Sequence, residues 1–170
     1  MATFVLTVLG DDRPGLVSAI SGAVNAHGAS WERSQLSRLA GKFAGIVLVS
    51  VPGERYDALV ADLEALGSQG LQLVIERTDE PAAGPTQRFV LELLGDDRPG
   101  IVAEVSSALA THDVSIEELT TDVRDAPMAG GTLFEANAVL AAPATAAADE
   151  LRAMLEDIAD ELMVEISLSD

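Results

Sequence analysis

The chain has no cysteine. That excludes a disulfide scaffold, a thiol nucleophile and any zinc or iron–sulfur site built on thiolates. Aromatic residues make up only 4% of the sequence, so the core must be aliphatic, and Lys42 is the sole lysine. The most apolar stretch, Phe43 to Val51, is too short to cross a bilayer. The opening segment MATFVLTVLGDDRPG lacks a basic region, and Asp11 and Asp12 cut its apolar run early. It does not read as a secretory signal, and a cytoplasmic location is expected. Positive charge is scarce: 10 basic residues stand against 28 acidic ones, a net charge of −18. Such a surface repels phosphate backbones and anionic lipid, which argues against direct nucleic-acid or membrane binding.

What the chain does have is a repeat. FVLTVLGDDRPGLVSAISGAVNAHGASWE begins at Phe4, and FVLELLGDDRPGIVAEVSSALATHDVSIE begins at Phe89, with 16 of 29 positions identical at an offset of 85. The 170 residues are therefore a tandem duplication of two small units. Weaker matches follow at an offset of 91, Pro52 with Pro143 and LQLVIE at Leu71 with LMVEIS at Leu162. The second copy thus carries six extra residues, best placed at Arg124–Gly131, where Pro127 and two adjacent glycines mark a loop. The expected division is a first unit at 1–78, a linker at 79–87 containing Pro81, Gly84 and Pro85, and a second unit at 88–170.

Each copy reads β-α-β-β-α-β. In the first, strands are expected at Thr3–Leu9, Ser30–Leu39, Phe43–Val51 and Leu71–Glu76. Helices are expected from Pro14, with Leu16, Val17, Ile20 and Val24 on one face and Gly28 as terminator, and at Tyr56–Leu66. In the second, the elements are expected at Phe89–Leu94, Pro99–Thr111, Val114–Val123, Thr132–Ala141, Ala144–Asp160 and Leu162–Leu168. Two right-handed crossovers around a hairpin put both helices on one face of an antiparallel sheet, an α+β ferredoxin-like unit. The other face stays open, and the aliphatic strand Phe43–Val51 gives it little polar surface; another copy or a partner is expected to cover it.

The identical segment Gly-Asp-Asp-Arg-Pro-Gly, at Gly10–Gly15 and Gly95–Gly100, lies between a strand end and a helix start. A helix start offers free N–H groups and the positive end of the dipole, and so attracts an anion. Gly15 and Gly100 let a ligand approach closely. Asp12 and Asp97 stand ready for an ammonium group, so the pair of features suits an α-amino acid. The plainer alternative is that the two aspartates cap their helices and the glycines serve only the turn.

With Leu16-Val17 or Ile101-Val102 behind it, and His-Gly-Ala-Ser30 or His-Asp-Val-Ser115 after the helix, this segment resembles the opening of an ACT domain, a small-molecule-binding regulatory module. The resemblance covers both copies. Two such units with no further domain are most similar to the glycine cleavage system transcriptional repressor group. The resemblance implies side-by-side pairing into an eight-stranded sheet and an amino acid of the glycine or serine class bound at the interface; the open sheet face and exposed edge strands separately lead to the expectation of a dimer. It implies contacts from Gly10, Asp12, Pro14, Gly15 and Leu16, and from Gly95, Asp97, Pro99, Gly100 and Ile101. A neighbouring domain would add residues around Ser34–Leu36 and Leu119–Thr121. Serine-binding members carry Asn where this chain has Asp12 and Asp97, so the ligand is left open.

Other features carry less. His27 and His112 occupy equivalent helix ends, where a histidine suits the negative dipole. Neither has the neighbours of a metal site, and no metal or cofactor is expected. The paired aspartates lack the phosphate cradle of a magnesium-dependent phosphoryl-transfer site. No nucleophile–base pair stands out, and Trp31, matched by Ile116, reads as packing. Residues 1–85 carry a net −4 and residues 86–170 a net −14, with Glu150, Glu156, Asp157, Asp160 and Glu161 near the last helix. A solvated face is the ordinary reading, and an acidic docking surface for a basic regulator the sharper one. The favoured function is a non-catalytic amino-acid sensor acting through a protein partner such as a transcription regulator. The alternatives are a small ferredoxin-like enzyme and a purely structural adaptor.

Overall fold

The structure is a computed structural model that describes residues 1–79, 84, 86–128 and 130–170. It forms two compact units, 1–81 and 82–170. Part of the expected linker (Glu80, Pro81, Ala82, Ala83, Pro85) and Ala129 of the expected loop lie outside the described residues.

The first unit runs β1 (Ala2–Asp11), α1 (Leu16–Ala26), β2 (Ser30–Leu39), β3 (Lys42–Val51), α2 (Tyr56–Ala65) and β4 (Leu71–Arg77). The second runs β5 (Thr86–Asp96), α3 (Ile101–Thr111), β6 (Ser115–Asp125), β7 (Thr132–Pro143), α4 (Ala148–Leu162) and β8 (Val164–Ser169). The strands pair antiparallel in the orders β2-β3-β1-β4 and β6-β7-β5-β8, two sheets of four. This is the α+β ferredoxin-like order that the element pattern implies.

Period-2 alternation builds each core. In β1, Phe4, Leu6 and Val8 are buried, and they meet Val47, Val49 and Val51 of β3 together with Leu16, Ile20 and Val24 of α1 and Leu59 and Leu63 of α2. In the second unit Phe89, Leu91, Leu93, Leu140, Leu109 and Leu155 do the same. No polar or charged residue is buried among the described residues. Each fully buried aliphatic side chain contributes about 2 kcal/mol, so this set is the main source of stability. Trp31 and Ile116 pack against their respective cores, and Trp31 Nε1 donates to Ser34 Oγ at 3.0 Å.

The α1 terminus is a Schellman motif: Gly28 N–H donates to Asn25 O at 3.1 Å and Ala29 N–H to Val24 O at 3.1 Å, with Gly28 at φ 65°. In the second unit Asp113 takes the same left-handed place at φ 56°. His27 and His112 are the residues just before these turns. His27 Nε2 donates to Asp62 Oδ2 at 2.6 Å and ties α1 to α2, whereas His112 Nδ1 donates to Ala108 O at 3.0 Å.

Three expectations need correction. Pro14 and Pro99 do not open their helices; the first helical residues are Leu16 and Ile101, because Gly15 and Gly100 at φ 91° and 93° interrupt the helical path. Short 3-10 turns at Gly53–Arg55 and Leu66–Gln69 flank α2, beyond what the apolar spacing suggests. The offset of 91 holds for β3 against β7, since Phe4 faces Val49 and Phe89 faces Leu140, but it fails for the last strand. There Gly10 faces Leu71 while Gly95 faces Val164, an offset of 164 − 71 = 93. Leu162 is therefore the end of α4 and not the counterpart of Leu71, because a continuous helix replaces α2 and its 3-10 turn.

That alignment pairs Met163 (φ 55°) with Gly70 (φ 87°), so at two equivalent left-handed positions the second unit holds a side chain where the first holds glycine. Left-handed conformation costs most residues about 1–2 kcal/mol, partly offset by the backbone entropy of glycine. Met163→Gly is expected to stabilise the second unit by about 1 kcal/mol, and Asp113→Gly by less, since aspartate tolerates this region better. Chemical denaturation followed by circular dichroism checks both. A cavity of about 30 Å³ lies in the second unit, lined by Leu91, Val105, Leu109, Phe134, Ala136 and Ala138. Ala138 stands where the first unit has the buried Val47. Ala138→Val is expected to add about 0.7 kcal/mol in the same measurement, and a loss of stability would mean the cavity is not accessible to that methyl pair.

Candidate functional site

The turn after β1 is held from both sides. Asp12 N–H donates to Gly41 O in the β2–β3 hairpin at 2.9 Å, and Asp97 N–H donates to Thr132 O at 2.9 Å in the second unit. The first hairpin is a two-residue turn with Ala40 at φ 50° and Gly41 at φ 78°, the pattern that matches strand twist. Beside it, Asp11 is hydrogen-bonded to Lys42, which holds the Asp11 carboxyl below its usual range.

Gly10 and Gly95 are needed by packing. A Cβ on Gly10 would meet Leu71 Cδ2 at 2.9 Å, and one on Gly95 would meet Val164 Cγ1 at 2.3 Å. These two glycines let the last strand of each unit close on the first; Gly10 is buried and Gly95 half-buried. Gly15 and Gly100 differ. A Cβ on either meets nothing within 4 Å, so the space over them is open, and only their positive φ demands glycine.

The first helical hydrogen bond in α1 is Ala19 N–H to Gly15 O at 2.9 Å, and in α3 it is Glu104 N–H to Gly100 O at 2.9 Å. The N–H groups of residues 16–18 and 101–103 therefore precede the ladder. No side chain caps either helix. The plainer reading of Asp12 and Asp97 as helix caps is thus not what the geometry has. Asp12 Oδ2 instead lies 3.5 Å from Arg38 Nη1, a partly solvated contact. Arg13 Nη2 donates to Gln69 O at 2.9 Å, at the end of the 3-10 turn.

The remaining expected residues sort by burial. Leu16 and Ile101 are each 3% exposed, so their side chains belong to the core and only their backbone can face a ligand. Pro14 and Pro99 are exposed beside the turn. Ser34–Leu36 lies in the middle of edge strand β2, opposite Val47, Ile46 and Gly45, and Leu119–Thr121 lies likewise in β6. In their own units these segments are several rungs from the turn. Ser34 and Gln35 line a cavity of about 580 Å³ with Val5, Ile46 and Leu48 on the sheet face away from the helices. The corresponding face of the second unit has a groove of about 330 Å³ with Glu92, Glu135, Asn137 and Glu165. On α4, Glu150, Glu156, Asp157, Asp160 and Glu161 are exposed or half-exposed.

Nothing in the motif itself announces Arg38 beside Asp12. The signal that could find it is the two-residue hairpin, which folds position 38 back toward the end of β1. Gly45 is a second residue that sequence reasoning passes over: its missing side chain lets Gln35 O approach to where a Cβ would be 2.0 Å away. Among the described residues no helix is long and apolar enough to cross a membrane.

Comparison with known proteins agrees with this architecture. The ACT domain family matches residues 2–76 and again 87–169. The glycine cleavage system transcriptional repressor of Escherichia coli (strain K12) is 25% identical over 167 residues, covering 97% of this chain and 88% of that one. The crystal structure of an unknown protein from Galdieria sulphuraria superposes with a TM-score of 0.88 at 33% identity, covering 99% of this chain and 97% of the other. A structure assigned to a glycine cleavage system transcriptional repressor superposes with a TM-score of 0.72 at 19% identity, covering 99% and 96% of the two chains, which speaks for the fold. With both halves matched in order, the chain belongs to the ACT domain family as a tandem pair.

Proposed function

We propose that this protein is a non-catalytic sensor of a small amino acid of the glycine or serine class. The ligand binds at the turns Gly10–Gly15 and Gly95–Gly100, and the bound state acts through a protein partner such as a transcription regulator. Its similarity to a repressor named for the glycine cleavage system points to the transcription of glycine cleavage genes as the output. In this reading the protein works in the cytoplasm as a homodimer, with edge strands that pair between copies. The acidic face of α4 is the surface available to a basic partner.

The observation that carries the reading is the open space over Gly15 and Gly100, directly in front of helix N–H groups that no side chain caps. Those groups suit a carboxylate, while Asp12 and Asp97 suit an ammonium. A ligand with both charges a few bonds apart is an α-amino acid. Ligand binding shifts a regulatory equilibrium only by its differential affinity for the two states, so the sensor needs a ligand that one state binds better than the other.

Melting-shift and calorimetric titration with each standard amino acid tests this. Saturable binding of glycine or a similarly small amino acid is expected, and the Asp12→Ala/Asp97→Ala double variant is expected to lose it. No binding by any amino acid, or binding indifferent to the double variant, would remove the turns as the site. Partner capture that survives reversal of Glu156, Asp157, Asp160 and Glu161 to Lys would remove α4 as the docking face.

A further inference from the structure

The face of the first sheet that turns away from α1 and α2 carries side chains that the core does not use. Arg33, Leu48, Val5 and Glu76 stand side by side across the four strands, in one rung. The next rung is Gln35, Ile46, Thr7 and Val74, and the one after it is Ser37, Ala44, Leu9 and Gln72. Charge sits at the two edges of the first of these rungs, a cation on β2 and an anion on β4, with aliphatic residues between. Ile46 and Val74 are 50% and 54% exposed, and Leu9 is 42% exposed. A cavity of about 580 Å³ lies over Val5, Ile46 and Leu48. An apolar sheet face of this kind is stable in water when a second layer packs on it.

The pattern is complementary to itself. A second copy can stack on this face through a twofold axis that runs along the strands, between the two sheets. That axis sets β2 over β4 of the second copy and β3 over its β1. Arg33 then meets Glu76 of the second copy, and Glu76 meets Arg33 of the second copy. Leu9 comes to lie over Ala44 of the second copy and Ile46 over Thr7 of the second copy, so each large side chain meets a smaller one. Aligned sheets lie about 10 Å apart and cross at about 30°, a gap and an offset that Arg and Glu side chains at the rim can bridge. Arg33 is already engaged within its own chain, and a guanidinium carries enough donors to serve a second carboxylate as well. An axis across the strands, through this rung, would instead set Arg33 against Arg33 and Glu76 against Glu76. The four strands, seven to ten residues long, span roughly 19 by 31 Å, a flat footprint of about 600 Å² whose ridged surface approaches the about 800 Å² per partner of a stable interface.

The second unit shows the reverse. The rung that matches Arg33, Leu48, Val5 and Glu76 is Glu118, Val139, Val90 and Ser169. The rung that matches Ser37, Ala44, Leu9 and Gln72 is Asp122, Glu135, Leu94 and Glu165. The same axis would set Asp122 against Glu165 of the second copy, and the reverse, with Glu135 close by. The strand pairing is equivalent in the two units, so the side chains decide: they favour stacking of the first face and oppose stacking of the second. We propose that the open face of the first sheet is a self-association surface. A second copy of this chain stacks on it through a twofold axis along the strands, with Arg33 and Glu76 as reciprocal rim contacts. This inference is independent of the amino-acid site and of edge-strand pairing between copies.

The test is sedimentation velocity of the full chain over a concentration series, each variant first checked for native circular dichroism. The wild-type chain is expected to self-associate, and Ile46→Asp, at the centre of the face, to weaken that association about a hundredfold. Arg33→Glu and Glu76→Arg are each expected to weaken it about tenfold, because either one sets like charges together at both rims. The double variant Arg33→Glu/Glu76→Arg is expected to recover it. So is an equimolar mixture of the two single variants, whose mixed pairs have opposite charges at both rims. If the wild-type chain stays monomeric, or if Ile46→Asp associates as the wild type does, this face is not the surface and the proposal falls. If neither the double variant nor the mixture recovers what the single variants lose, the axis along the strands is wrong and the proposal falls with it. The sensor reading stands in each of these cases, since no variant touches the turns.

Discussion

One left-handed glycine governs where each first helix begins and what its N–H groups face. With φ at 91° and 93°, Gly15 and Gly100 swing the chain so that Leu16 and Ile101 drop into the core. A residue with a Cβ would resist that conformation by about 1–2 kcal/mol. The buried leucine or isoleucine then pins the first turn, and the N–H groups around it point outward from a fixed base. A rigid arrangement of this kind loses little entropy when a small ligand binds.

The second constraint is the approach of the last strand to the first. Gly10 and Gly95 have their neighbours at less than ordinary contact distance from where a Cβ would stand. The two glycines of each turn therefore do unlike work, one closing the sheet and the other setting the left-handed turn into the helix. A hexapeptide that looks like a single motif in the sequence is two structural devices joined end to end, with the aspartates between them.

Much of the fold is legible because hydrophobic spacing does most of the specifying. Phe4, Leu6 and Val8 at period two, and Leu16, Ile20 and Val24 at helical spacing, already define one sheet face and one helix stripe. Ser30–Leu39 falls where the pattern puts it, to the residue, since Gly28 ends the helix before it and the tight Ala40-Gly41 turn ends the strand. Sequence reasoning is weaker where local preference is overridden. Proline is well suited to a helix start, which makes Pro14 look like one, yet the following glycine has the deciding dihedral. The slip of two residues at β8 arises because Leu162 and Leu71 look alike in their apolar runs, while the length of α4 decides the register. At the site, the turn and its residue types can be read directly. The Arg38 contact cannot, because it depends on a hairpin closing between residues 26 apart in the chain.

The duplication also separates what folding requires from what it leaves free. On the helix-facing side both units keep aliphatic residues at matching register positions, with Ala138 for Val47 the kind of small change a core absorbs at modest cost. On the opposite face, Thr7, Ala44 and Gln72 of the first unit correspond to Glu92, Glu135 and Glu165 of the second. Neither face packs against its own helices, so these positions feel little pressure from the core. The −14 of the second half against the −4 of the first is thus a property of surfaces and not of the fold. A chain made of two equal sensors would gain nothing from that divergence. One in which the halves share a scaffold but meet different neighbours has a physical reason for it, because charge on an exposed sheet face alters which surfaces can approach without altering the stability of the sheet beneath.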